Sequence, residues 1–92
     1  MMNRLLPIGS VVTIGEAEKR VMVIGVCQRS ASSNRLWDYV GVVFPEGFLS
    51  PDKMIMFNHE DISQLYFIGM QDLEQMEFSD KLEEFLKENN KE

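Results

Sequence analysis

The sequence predicts a small α+β domain, a curled antiparallel sheet of about five short strands followed by one C-terminal amphipathic helix. Three observations carry this. Short runs rich in β-branched and aromatic residues, separated by Gly, Pro and Ser turns, occupy the first two thirds of the chain. The hydrophobic period then changes from two to about 3.6 after Asp72. A length of 92 residues suits one domain with a modest core.

Pro7-Ile8-Gly9-Ser10 is a turn that leads into the first strand, Val11 to Ile14. Gly15 to Glu18 breaks that run, and a second strand from Lys19 to Val26 completes a hairpin. Gln28 to Arg35 is read as a polar loop with Ser30 to Asn34 at its tip. In the third strand, Leu36 to Phe44, apolar residues fall on both faces near its end, which predicts a place inside the sheet or beneath a helix. Pro45-Glu46-Gly47 and Ser50-Pro51-Asp52 turn the chain, Met54 to Phe57 forms a short fourth strand, and Ile62 to Ile68 a fifth.

In the last third, Leu73, Met76, Leu82, Phe85 and Leu86 recur at mainly helical spacing. Asp72 with Gln75 three residues on resembles a capping box, and Ser79 offers a second start, so a short helical turn followed by a longer helix is one reading. Phe78, beside that break, is expected to pack. Residues 5–88 form the predicted domain and 89–92 a frayed acidic tail. An SH3-like partial barrel is one form such a sheet could take, with the helix covering an apolar face or an open end.

Charge is unevenly placed. Residues 1–57 carry six Lys/Arg and five Asp/Glu, whereas residues 58–92 carry three Lys and ten Asp/Glu. An acidic half repels phosphate backbones, which disfavours nucleic acid and favours a basic protein surface as partner. No apolar run approaches the roughly 18 residues of a membrane span, and the N-terminus lacks the apolar core of a secretory signal. A cytoplasmic protein is expected.

The catalytic inventory is poor. His59-Glu60-Asp61 has Ser63 where a zinc-protease helix needs its second histidine. Cys27 stands alone, with no nucleophile motif and no second thiol for a disulfide or a cysteine zinc site. The glycines match no phosphate-binding or dinucleotide pattern. The expectation is a protein that is not an enzyme and uses neither cofactor nor metal. For His59 the alternative to chemistry is a polar turn in which Asn58 or Asp61 bonds nearby amides.

Contact is the better reading of the same region. Phe48 and Leu49 follow a tight turn and could dock a partner or fold back on the core. The candidate protein-binding residues are Tyr39, Pro45, Glu46, Phe48, Asn58, His59, Glu60 and Asp61. The five internal methionines Met22, Met54, Met56, Met70 and Met76 could add adaptable contacts or fill core gaps.

Five segments occur in order: Leu6-Pro7-Ile8-Gly9-Ser10-Val11-Val12, Arg20-Val21-Met22-Val23-Ile24-Gly25, Asp38-Tyr39-Val40-Gly41, Pro45-Glu46-Gly47 and Phe57-Asn58-His59-Glu60-Asp61-Ile62. Over residues 5–87 they resemble a family of small bacterial proteins, of unknown function, whose genes lie beside type VII secretion genes. What the resemblance implies is a cytoplasmic accessory factor, a chaperone-like partner of a secreted toxin that carries an LXG domain and is encoded nearby. An immunity protein that neutralises a toxin by direct binding is the alternative. No catalytic residue carries over.

Overall fold

A computed structural model describes residues 5–89. Five strands, β1 (Val11–Ile14), β2 (Val21–Arg29), β3 (Leu36–Val43), β4 (Ile55–Phe57) and β5 (Ile62–Phe67), precede one helix, α1 (Leu73–Glu88). Single 3-10 turns at Pro51–Lys53 and His59–Asp61 flank β4. The strands form one open antiparallel sheet in the order β4-β3-β2-β1-β5. The predicted α+β class and the helix after the sheet are therefore present.

β3 lies inside the sheet, which explains its two apolar faces: β2 pairs on one side and β4 on the other. β2 runs three residues beyond its expected end, because Gln28 and Arg29 pair with Trp37 and Leu36. Their polar side chains suggested a loop, but an interior strand pair needs only backbone groups and one shielded face. Asn34 takes a left-handed φ of 57° at the tip of the shortened loop, and its N–H donates to the Ser30 carbonyl at 2.7 Å.

The core is built within the sheet. Leu6, Val12, Val21, Val23, Tyr39 and Phe57 form one buried cluster, with Leu5, Ile14, Val26, Ile55 and Ile62 packed against it. Gly41 is required at the heart of this packing. A Cβ there would come within 2.6 Å of Val21 Cγ1 and 2.8 Å of the Met22 carbonyl oxygen. The segment before β1 belongs to this core as well. Gly9, at φ 95°, lets the chain turn so that Gly9 N–H donates to the Val23 carbonyl and Val23 N–H to the Ser10 carbonyl, each at 2.8 Å.

α1 is one continuous helix rather than two. Asp72 caps it by accepting from Gln75 N–H at 2.9 Å, as the spacing suggested, while Ser79 is buried within it instead of starting a second helix. The helix contributes nothing to the central cluster. Its Gln75, Phe78, Ser79 and Leu82 face Leu5 to Ile8 and Val26 around a cavity of about 30 Å³. Phe78, expected to pack, lines that cavity with half of its surface left exposed. Asn89 closes the helix, its side-chain amide donating to the Phe85 carbonyl at 2.8 Å and its carbonyl accepting from Arg29. The remainder of the expected tail lies outside the described residues.

Candidate functional site

The segment after β4 is organised around β3. Asp38 and Tyr39 are adjacent on that strand, so their side chains leave it on opposite faces. Tyr39 is fully buried, pairs across the strands with Phe57 and stacks on its ring with centroids 5.1 Å apart. Its hydroxyl accepts the Leu6 N–H at 2.8 Å and lies 2.6 Å from His59 Nδ1. The hydroxyl and Nδ1 share one hydrogen bond, whose direction follows the tautomer of His59. Burial pushes the Tyr39 pKa far above its ordinary 10.0, the Leu6 N–H acts against that shift, and the Asp38 charge adds to it.

Asp38 ties the same turn from the other side. Its carboxylate accepts His59 N–H at 2.8 Å, while its own N–H donates to Asn58 Oδ1 at 3.1 Å. Asp61 completes the loop by accepting Asn58 N–H at 2.9 Å on its carboxylate. The motif Asn58-His59-Glu60-Asp61 thus closes a 3-10 turn and clamps it to β3. These are the local amide bonds expected of a polar turn.

The candidate contact residues therefore separate into two groups. Tyr39 and Asn58 are buried, and their polar groups bond to other parts of the fold. His59 and Asp61 are half-buried, whereas Pro45, Glu46, Phe48 and Glu60 are exposed. Glu46 is engaged: Lys19 Nζ lies 2.8 and 2.9 Å from its two carboxylate oxygens and holds its carboxyl below the usual range. Phe48 and Leu49 stand out from the core at 61% and 56% exposure instead of folding back. Cys27 is half-buried, with a left-handed φ of 53°. Among the described residues no group of three His, Cys, Asp or Glu is placed to hold a metal, and no helix is long and apolar enough to cross a membrane.

One surface escaped sequence reasoning. Leu65, Tyr66, Phe67 and Ile68 are all substantially exposed on the edge strand β5 and just beyond it, as are Met70, Leu73 and Met76. The register slips twice between β1 and β5, at Val11/Val12 and at Thr13/Ile14, and these irregularities break the simple alternation of faces. The signal was legible: four apolar residues in succession cannot all be buried by a strand covered on one face.

No curated protein and no solved structure matches the chain. Residues 5–78 match the domain of unknown function DUF4176, a span that takes in all five strands and the first third of α1. The chain belongs to the DUF4176 family.

Proposed function

We propose that this protein is a non-enzymatic, cytoplasmic binding partner of another protein, and specifically a chaperone-like accessory factor for a type VII-secreted toxin with an LXG domain. The observation that carries the binding reading is a division of labour between residues. The polar residues best suited to chemistry, Asp38, Tyr39, Asn58 and His59, are spent on bonds to one another and to backbone. Large apolar side chains are at the same time left on the surface, which marks an interaction site on a small domain. The resemblance of the five segments to proteins encoded beside type VII secretion genes supports the choice of partner.

Co-expression with the toxin encoded by a neighbouring gene, followed by affinity purification of the toxin, tests the proposal. Co-purification at a fixed stoichiometry and a longer toxin half-life are expected. Failure of every adjacent gene product to bind would sink it. An immunity protein would instead rescue cells that express the active toxin domain alone.

A further inference from the structure

We propose that the face made by β5 and the first half of α1 docks a cationic amphipathic segment of the partner protein. The inference rests on the protein-binding reading above and assigns it a surface and a partner chemistry.

β5 ends the sheet, so no further strand of the described chain covers its outer side. Tyr66 and Phe67 are 50% and 60% exposed, and Met70 and Leu73 still more so. Ile68 and Met76 line one depression of about 120 Å³, which joins the strand and helix pieces into a single surface. An aromatic side chain carries roughly 150–250 Å² of area. Half-exposed Phe67 leaves much of that area in solvent, and Ile68, Met70, Leu73 and Met76, which follow it along the chain, add exposed apolar surface of the kind that marks interaction sites.

The charge around this patch selects the occupant. β5 itself carries no charge, so its centre suits apolar side chains. Asp72, Glu74 and Glu77 stand at the start of α1 and Asp80 at the end of its first half, while no Lys or Arg falls between positions 54 and 80. A second copy on this face would bring the same acidic helix against itself. A segment with Leu, Ile or Phe at its centre and Lys or Arg at its margins meets both the apolar centre and the acidic rim. The two register slips in β5 interrupt a regular edge, so side chains rather than an added strand hold the partner.

A short amphipathic peptide of leucine and lysine serves as probe, its leucine–glutamate counterpart as control, with binding read by fluorescence anisotropy. The lysine peptide is expected to bind and the glutamate peptide not to bind. The double variant Phe67→Ser/Met76→Ser should weaken binding about tenfold or more. Glu74→Lys/Glu77→Lys should also weaken it, and in addition flatten its salt dependence. Phe48→Ser/Leu49→Ser, at a different exposed apolar site, should leave it unchanged. The altered side chains are exposed, so circular dichroism melting should show each variant folded, and the charge-reversal pair decides the matter should the apolar pair not fold. Equal affinity of both patch variants and the wild type would overturn the inference, as would a dimer in sedimentation that Phe67→Ser/Met76→Ser converts to monomer. Against the toxin, full capture by the patch variants refutes this surface and leaves the binding reading standing. No capture by the wild type refutes the LXG reading, and the peptide measurements then decide the surface alone.

Discussion

The hydroxyl of Tyr39 and Nδ1 of His59 lie 2.6 Å apart, joining the interior strand β3 to the turn that launches β5. The same oxygen receives the Leu6 N–H, so one atom fastens three separate parts of the chain. Asp38, Asn58 and Asp61 close the same corner, each supplying a bond that the buried groups there would otherwise lack.

Tyr39→Phe removes that oxygen while keeping the ring that stacks on Phe57. The Leu6 N–H loses its partner inside the protein, at a cost of about 1–3 kcal/mol for a buried donor left unpaired. The melting temperature should fall by roughly 4–8 °C for each kcal/mol lost in a domain of this size, with the fold retained. Thermal denaturation followed by circular dichroism measures this, and an unchanged melting temperature would remove the hydroxyl from the stabilising set.

The same group sets an alkaline limit. Burial holds the folded pKa of Tyr39 above its ordinary 10.0. The unfolded chain therefore releases the proton first, and unfolding is favoured increasingly as the pH passes 10. The contribution is complete below that value and is lost as the pH rises toward the folded pKa. Urea midpoints from about pH 8 to about pH 11 should fall more steeply for the wild type than for Tyr39→Phe.

Gly69 and Gly15 should respond differently to alanine. A Cβ on Gly69 would collide with the Ile8 carbonyl oxygen, and the Gly69 N–H is bonded to Ser10 Oγ at 3.0 Å, so the backbone has little room to retreat. Gly69→Ala should cost about 1–3 kcal/mol or more by overpacking. Gly15 has open space around it but a left-handed φ of 57°, so Gly15→Ala carries only a conformational cost of about 1 kcal/mol. Equal losses in chemical denaturation would contradict the steric argument.

The Lys19–Glu46 pair should matter to titration and hardly to stability. Lys19 lowers the carboxyl pKa of Glu46, so any stabilisation is present above the ordinary carboxylate range and lost as the pH falls through the lower folded value. Both side chains are about half exposed, where solvent and salt screen the attraction. In Lys19→Ala, the Glu46 carboxyl resonance should titrate at higher pH, while the neutral-pH urea midpoint stays within error of the wild type.

The strand-forming segments, the interior place of β3 and the Asp72 cap were legible because each depends on local sequence: β-branched runs, two apolar faces, and a side-chain acceptor three residues before a free amide. The end of β2 and the unity of α1 were not. Gln28 and Arg29 are strand residues because Trp37 and Leu36 lie opposite them, and Ser79 is a buried residue within one helix, on the side that faces Leu5, Leu6 and Pro7. Phe48 was legible as a turn residue, but its exposure depends on what the folded chain leaves uncovered.

By itself the sequence determined the fold class and the acidic character of the second half, since periodicity and charge are properties of neighbouring residues. Only the tertiary structure decided that Tyr39, Asp38, Asn58 and His59 satisfy one another, and that Tyr66 and Phe67 of β5 and Leu73 and Met76 of α1 stay exposed. Hydrogen-bond satisfaction and burial are set by distant segments. Leu6 and His59 meet at one hydroxyl across 53 residues of sequence, a closeness that no local pattern encodes.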